Sequence, residues 1–221
     1  MSNQEAIARE IVEIGKLMYE RGHVISNDGN ISAKVADDLF LVTPSGISKG
    51  RLTTDMLVPV NAKGEVLSGN RHPSSETPMH LEVYRQKSEV KAVVHAHSPL
   101  ATAFAIAGRA IDEPYMPELI LGLGVVPVAP FAMPSTEEVP ASIIGLLEGN
   151  ALLLSNHGVL TWGSSLIAAF DYLEQVEYAA KIIMTVEQLG GGRKLDEKVR
   201  ERLFSLADNY RRLAGERKTD D

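Results

Sequence analysis

Cysteine is absent from the 221-residue sequence. Its absence excludes disulfide bonds, thiolate metal sites and a cysteine nucleophile, so any metal ion must be held by histidine, aspartate or glutamate. A basic excess is absent too. The 22 Lys and Arg residues against 29 Asp and Glu residues give a formal net charge of −7, which disfavours nucleic acid and anionic membranes as partners.

Long apolar runs are also missing. No charge-free apolar stretch reaches the roughly 18 residues that suggest a membrane-spanning helix. The first ten residues, MSNQEAIARE, have neither the basic start nor the apolar centre of a signal peptide. With 44% hydrophobic and 23% charged residues, we expect a cytoplasmic globular enzyme. No repeat or long linker divides the chain, which favours one α/β domain over residues 1–221.

The hydrophobic pattern predicts alternating helices and strands. Helices are expected at 2–22 with a Ser2/Glu5 capping box, at 75–86, at 100–107, at 135–147 with a Ser135/Glu138 capping box, at 164–188 and at 196–213. Strands are expected at 39–42, 57–60, 90–97 and 124–130, with a strand, turn and strand over 151–163. Residues 26–32, SNDGNIS, are expected to form a turn. On the last helix, Leu203, Leu206, Tyr210 and Leu213 share one face, which favours packing, with closure of Tyr210 over a site as the alternative.

The segment VKAVVHAHSP, residues 90–99, has the pattern that most strongly suggests a functional site. Side chains alternate along a strand, so His95 and His97 point to the same side. Ser98 and Pro99 follow as a helix N-cap and first helical residue, which puts both histidines where a strand ends and a helix begins. Such a position suits metal ligands, but a half-buried strand with two hydrogen-bonded histidines has the same pattern.

Two more residues would complete a metal site. His157 follows the apolar run ALLL in a turn, where a histidine is more often structural unless other ligands lie nearby. Glu76 lies in HPSSETPMH, and His80 shares its helix face as a ligand or supporting partner. Three neutral imidazoles and a carboxylate suit zinc, with manganese, cobalt or iron as alternatives. The helix start after Ser74 and Ser75 is either a phosphate site or a routine cap.

The residues that follow His97 exclude two other architectures with an HxH pair. A cupin would have a glutamate a few residues later, where this chain has SPLAT. A metallo-β-lactamase type of site would have the pattern HxHxDH, which Ser98, Pro99 and Leu100 do not fit.

Five motifs resemble, in order and spacing, those of the class II aldolase and adducin head family. They are GNIS at 29–32, TPSG at 43–46, PSSE at 73–76, HAHSP at 95–99 and NHG at 156–158. The resemblance covers nearly the whole chain and is greatest to members that act on ketose 1-phosphates. It implies a central, largely antiparallel sheet flanked by helices, and a homotetramer with active sites at subunit interfaces.

The resemblance also implies roles for individual residues. Glu76, His95, His97 and His157 match the family's metal ligands, and Glu76 also matches the residue that leaves the metal and serves as acid and base. The residues that match positions gripping the substrate phosphate are Gly29, Asn30, Ser45, Gly46, Ser74 and Ser75. Tyr115 resembles a catalytic tyrosine contributed across the interface, with Glu118 as a rival for that role.

The activity implied is metal-dependent, reversible cleavage of a ketose 1-phosphate to dihydroxyacetone phosphate and an aldehyde. L-fuculose 1-phosphate and a 5-deoxy or methylthio pentulose 1-phosphate are the expected substrates. The apolar stretch PYMPELILGLG suits a small aldehyde, or is core. Alternatives on the same scaffold are a pentulose-phosphate 4-epimerase, a methylthioribulose-1-phosphate dehydratase and a keto-acid phosphate decarboxylase. A non-catalytic interaction module of the adducin-head type is the alternative from another class, and such heads lack the metal histidines.

Overall fold

The computed structural model describes the backbone of residues 2–216 and the side chains as far as Ala207. Seven strands form one sheet: β1 (Asn30–Ala36), β2 (Leu39–Val42), β3 (Val58–Val60), β4 (Ala92–Ala96), β5 (Val128–Ala129), β6 (Ala151–Leu154) and β7 (Gly158–Gly163). The described α-helices are α1 (Asn3–Glu20), α2 (Thr77–Gln86), α3 (Pro99–Ile106), α4 (Pro117–Gly122), α5 (Glu138–Ser142), α6 (Leu166–Gln188) and α7 (Glu197–Glu216). Two short 3₁₀ helices, Lys49–Arg51 and Thr54–Met56, lie between β2 and β3.

The strand order is β3-β2-β1-β4-β7-β6-β5. Every neighbouring pair is antiparallel except β5 and β6, which are parallel. The fold is therefore a mixed α/β domain with a largely antiparallel sheet flanked by helices, as the sequence predicts. None of the described helices combines the length and the apolar character needed to cross a membrane.

Strand β4 lies at the centre of the sheet and divides two hydrophobic cores. Val94 packs into the core that contains residues of α1, α3 and α6. Val93 packs into the other core, with residues of α2 and α5. Because side chains alternate along a strand, His95 shares the face of Val93 and points toward the side that carries α2. The central strand thus aims its first histidine at the helix that follows Glu76.

Several predicted elements agree with the structure. Helix α1 begins with the expected capping box, in which Ser2 Oγ accepts from the Glu5 N–H and the Glu5 carboxylate accepts from the Ser2 N–H. Helix α6 and the hairpin of β6 and β7 also form as expected. These elements have strong local signals, a helical period or a tight turn between two apolar runs.

Other predicted elements are wrong. The turn predicted over 26–32 ends at Gly29, and Asn30 already begins β1. The strand predicted over 124–130 is reduced to Val128–Ala129, while the apolar stretch before it forms the short helix α4. The capping box of Ser135 and Glu138 does not form, because Ser135 adopts a positive φ of 63° and its hydroxyl bonds to Ser75. Helix α5 accordingly covers only Glu138–Ser142.

Helix α7 does not bury the predicted face in full. Leu203 is partly buried, but Leu206 is 48% exposed, and the fully buried residue is its neighbour Ala207. The predicted packing of Leu206 is therefore wrong. The side chains of Tyr210 and Leu213 lie outside the described residues.

Candidate functional site

Three histidines from two parts of the chain meet at the end of β4. His95 is on the strand, His97 follows it, and His157 lies in the turn between β6 and β7. One ring nitrogen from each lies within 4.8 Å of the others. The ring centroids are 4.7 to 5.1 Å apart. The pairing of β4 with β7 places the turn histidine beside the strand histidines.

The Glu76 carboxylate lies against this cluster. One of its oxygens, Oε2, is 3.3 Å from His95 Nε2, and the other is 3.1 Å from His157 Nε2. The Asn30 amide donates to Glu76 Oε2 at 2.7 Å. The carboxylate is therefore aimed at two imidazoles by a side chain at the start of β1.

Contacts of Nδ1 in His95 and His97 leave the Nε2 atom of each of these two rings facing the cluster. His95 Nδ1 lies 2.9 Å from the Val159 carbonyl oxygen, which can only accept, so Nδ1 carries the proton and Nε2 presents its lone pair. His97 Nδ1 lies 3.4 Å from Asp28 Oδ2. Outer contacts of this kind fix the orientation of metal-binding imidazoles.

The chemistry of these donors fits a divalent metal ion. His95 Nε2, His97 Nε2 and Glu76 Oε1 are buried, and none of them has a partner with hydrogen-bond geometry among the described residues. Buried polar atoms are nearly always paired in native proteins, so three such atoms pointing into one cluster fit a shared cation. Imidazole nitrogens with a carboxylate are a donor set for zinc or a neighbouring divalent ion.

The electrostatics favour the metal-binding protonation states. Burial lowers the pKa of His95 to about 3, despite the opposing effect of the nearby Glu76 charge. Burial alone would raise the pKa of Glu76, but His95, His157 and the Asn30 hydrogen bond together hold it below its usual range. At neutral pH the site thus offers a neutral imidazole at its centre and an ionised carboxylate beside it.

Glycine is required where β7 begins beside the cluster. A Cβ on Gly158 would lie 2.4 Å from the Ala96 carbonyl oxygen, 3.0 Å from the His97 ring and 3.2 Å from the His95 ring. The backbone of the NHG motif thus approaches the histidines more closely than any side chain would allow.

The segment after His97 is held in a way that the sequence did not indicate. Ser98 occupies the N-cap position of α3 but makes no capping hydrogen bond. Its hydroxyl instead bonds to His23 Nδ1 at 2.7 Å. The N–H groups of Leu100 and Ala101 donate to the Glu177 carboxylate from α6. Ser98 and Pro99 thus take the predicted N-cap and first helical positions, but the free N–H groups of the helix donate to a carboxylate distant in sequence rather than to the Ser98 hydroxyl.

The predicted phosphate-binding residues lie on three adjoining loops. The Ser45 N–H donates to the His72 carbonyl, and the Ser74 N–H donates to the Thr43 carbonyl, which joins loop 43–46 to loop 72–75. Thr43 also accepts the Ile31 N–H on its hydroxyl, which connects both loops to the start of β1.

The six predicted phosphate-binding residues differ in what they present. Ser45, Gly46 and Ser75 are exposed, while Ser74 is half-buried and accepts the Glu76 N–H. Gly29 has a φ of 69°, and a Cβ there would lie 2.7 Å from the His95 carbonyl oxygen. Asn30 is buried, and its amide donates to Glu76 rather than to solvent.

Tyr115 and Glu118 have no described contact with the histidine cluster of their own chain. Tyr115 packs against the core of α1, α3 and α6, the face of the sheet opposite to His95. Its ring lies 3.2 Å from the position that a Cβ on Gly192 would take. Glu118 is exposed on α4. The role of either residue across an interface stays a prediction.

A buried polar network behind the cluster was not foreseen. Ser32 Oγ lies 2.7 Å from His80 Nδ1 and 2.9 Å from the Tyr84 hydroxyl. Burial lowers the pKa of His80 to about 4 and raises that of Tyr84. His80 is thus a neutral, buried partner of α2 and β1. The sequence signal was its spacing of four residues from Glu76.

Comparison with known proteins adds to this geometry. The family described as Class II Aldolase and Adducin N-terminal domain matches residues 9–184. A 3-oxo-tetronate 4-phosphate decarboxylase of Haemophilus influenzae is 36% identical over 183 residues, covering 80% of this chain and 86% of the relative. A 5-deoxy-D-ribulose 1-phosphate aldolase of Bacillus thuringiensis is 33% identical over 204 residues, covering 91% and 95%. A solved structure of an L-fuculose 1-phosphate aldolase has a TM-score of 0.83 at 30% identity, covering 90% of this chain and 95% of that one.

Proposed function

The chain belongs to the class II aldolase and adducin N-terminal domain family, and from this premise we propose that it is a metal-dependent lyase. It breaks the bond between the α- and β-carbons of a phosphorylated ketone, which leaves a carbanion next to the carbonyl group. The observation that carries the proposal is the cluster of His95, His97 and His157 with the Glu76 carboxylate against it. A non-catalytic interaction module would have no use for buried, unpaired donor atoms that converge in this way.

The reaction proposed is reversible aldol cleavage of a ketose 1-phosphate to dihydroxyacetone phosphate and an aldehyde. Candidate substrates are L-fuculose 1-phosphate and a 5-deoxy or methylthio pentulose 1-phosphate. Support comes from the 5-deoxy-D-ribulose 1-phosphate aldolase, which this chain matches over nearly its full length, and from the similar structure of an L-fuculose 1-phosphate aldolase.

Decarboxylation of 3-oxo-tetronate 4-phosphate is the second candidate reaction. The decarboxylase relative is more similar in sequence than the aldolase relative, at 36% against 33% identity. Loss of carbon dioxide from such an acid also leaves a carbanion next to a ketone. The two reactions therefore need the same stabilisation of charge and differ in the group that departs.

His95, His97 and His157 are the proposed metal ligands, with Glu76 as the fourth. A divalent ion bound there, zinc in the first instance and manganese, cobalt or iron otherwise, would supply Lewis-acid polarisation of the substrate ketone. Glu76, ionised at rest, is proposed to take up a proton from solvent and pass it to the carbanion carbon, since the Asn30 amide holds its carboxylate at the cluster. Tyr115 from a neighbouring subunit, or Glu118 in its place, would take the proton of the C4 hydroxyl.

The loops around the cluster are proposed to bind the substrate phosphate. The residues involved are Gly29, Asn30, Ser45, Gly46, Ser74 and Ser75. The exposed hydroxyls of Ser45 and Ser75 and the exposed backbone of Gly46 can hold the phosphate and so orient the ketone toward the histidines. The proposal extends to one domain over residues 1–221, a homotetramer with interfacial active sites, and a location in the cytoplasm, since a phosphorylated sugar does not cross a bilayer unaided.

Product identification tests the proposal. The protein is loaded with zinc or manganese and incubated with ketose 1-phosphates and 3-oxo-tetronate 4-phosphate, and the products are identified by ³¹P NMR and mass spectrometry. Dihydroxyacetone phosphate with an aldehyde supports the aldolase, and dihydroxyacetone phosphate with carbon dioxide supports the decarboxylase. An inverted or dehydrated sugar phosphate, or no product, contradicts both.

A further inference from the structure

A lysine is buried beside the proposed phosphate loops. Lys49 is only 2% exposed, although lysine is almost never fully buried unless paired. No carboxylate lies within ion-pair distance of its Nζ among the described residues. Burial lowers the pKa of Lys49 to about 8, with the charge of Asp28 acting in the opposite direction. A buried cation without a paired anion is costly, so its retention calls for a role.

The contacts of Lys49 indicate that role. Its Nζ donates to the Ile47 carbonyl at 2.6 Å and to the Asn27 carbonyl at 3.1 Å. Asn27 precedes Gly29 by two residues, and Ile47 directly follows Gly46. One ammonium group thus joins the loop before β1 to the loop after β2, and each loop carries proposed phosphate-binding residues.

The backbone of Lys49 is itself fixed in place. A Cβ on Gly15 of α1 would lie 2.9 Å from the Lys49 carbonyl oxygen and 3.0 Å from Leu52 Cδ1. The 3₁₀ helix Lys49–Arg51 therefore rests directly on the backbone of α1, which anchors the lysine on a rigid element. From this base the side chain reaches the two loops.

The positive charge of Lys49 also complements the negative charge of a phosphate bound by the loops. None of the six proposed phosphate-binding residues carries a charge, whereas a phosphate ester is strongly anionic. Arg71 lies on the outer side, where it lines an open cleft with Ser45, and it is exposed to water that screens its charge. A cation buried behind the loops is screened far less.

Resting on the proposed function, we propose that Lys49 is the positioning residue of the substrate phosphate. It ties together the two loops that receive the phosphate and supplies positive charge from behind them. The ligand class is a phosphate monoester dianion, and inorganic phosphate is its simplest probe.

The test compares Lys49→Met and Lys49→Gln with the wild-type protein, all metal-loaded. Lys49→Gln keeps N–H donors without the charge, so it covers the case in which the methionine variant fails to fold. Calorimetric titration with inorganic phosphate should show about tenfold to hundredfold weaker binding. KM for the phosphorylated substrate should rise by a similar factor, with kcat and bound metal nearly unchanged. Lys16→Met, at an exposed side chain of α1, is the matched control and should match the wild type.

Equal phosphate affinity in wild-type and Lys49 variants would overturn the inference. A parallel loss of bound metal and kcat would do so too, because it would show a purely structural role. If Arg71→Met loses phosphate affinity and the Lys49 variants do not, the positive charge that attracts the phosphate is that of Arg71. If the wild type binds phosphate but cleaves no phosphorylated substrate, the proposed function fails, while the phosphate titration still decides the role of Lys49.

Discussion

At the scale of single residues, Glu76 is the side chain on which the proposed chemistry depends most. Its carboxylate touches two imidazoles and is held by one amide. We predict that Glu76→Gln retains its metal through the three histidines but loses about a thousandfold in kcat, because an amide cannot carry the proton. The bound metal and the kcat of the variant are measured on the same protein preparation to check this. Glu20→Gln on exposed α1 is the control, and substantial turnover by metal-loaded Glu76→Gln would contradict the assigned role.

We predict that buried His80 makes the stability of the folded protein depend on pH. Its folded pKa of about 4 lies below the 6.5 of an exposed histidine, so the unfolded chain binds more protons between these values. Stability is therefore lost as pH falls from about 6.5 to about 4, by roughly 3 kcal/mol for this group. Urea unfolding of chelator-treated protein should show this slope, and His80→Gln should flatten it by about one proton. An unchanged slope in the variant would mean that His80 is not buried in the neutral state.

The three histidines that meet at the end of β4 could be predicted from sequence, whereas the residues that support them could not. The spacing of His95 and His97 and the turn around His157 are local signals. The contact of Asp28 with His97 and the reach of Lys49 to two loops depend on long-range packing, which no local pattern encodes. Glu177 accepts the N–H of Leu100 in the first turn of α3, 77 residues before it in the sequence.

At the scale of elements, the site is a junction at which β4, β7 and the start of α2 converge. The closeness of β7 to β4 depends on Gly158, where a Cβ would meet the Ala96 carbonyl and two histidine rings. We predict that Gly158→Ala costs about 1–3 kcal/mol of stability and weakens metal binding at least about tenfold.

Chelator competition and thermal unfolding measure the two effects. Gly149→Ala is the matched control, since its added Cβ would meet only the Val125 carbonyl at an ordinary 3.7 Å. Metal affinity of Gly158→Ala equal to that of Gly149→Ala would show that the close approach is unimportant for the site.

Helices with regular apolar spacing and the tight hairpin could be predicted from the sequence. Elements whose bounds depend on the surrounding structure could not. Helices α1 and α6 agree with their apolar spacing. Strand β1 was missed because the NDGN turn chemistry hides a strand that starts immediately at Asn30. Helix α5 begins later than predicted, at Glu138, since the expected cap Ser135 adopts a left-handed conformation.

At the scale of the whole molecule, the role proposed for Tyr115 would need a second copy of the chain. Tyr115 packs on the face of the sheet opposite to His95, so its catalytic role requires a neighbouring subunit. We predict that Tyr115→Phe and Glu76→Gln are each inactive alone. After subunit exchange of equal amounts, about a quarter of the sites should hold both native residues and regain activity. No regain in demonstrably mixed oligomers would place Tyr115 outside the site or within the same subunit's site.

The family could be recognised from five short motifs because each marks a backbone or ligand position that the fold requires. The reaction could not be read in the same way. Relatives at 36% and 33% identity are named for decarboxylation and for aldol cleavage, and both reactions place the same demand on a site, since each leaves a carbanion next to a ketone. The two reactions differ in the group that departs, and none of the five motifs is matched to that group.

The most direct test of the account is the rate of dihydroxyacetone phosphate release from L-fuculose 1-phosphate and 5-deoxyribulose 1-phosphate, coupled to NADH oxidation. The account predicts release by the metal-loaded protein, its loss on chelation and its return when zinc or manganese is restored. A rate of release that chelation leaves unchanged would contradict the histidine cluster as the catalytic centre. No release by protein with metal bound would contradict the aldolase and leave decarboxylation as the reaction to examine.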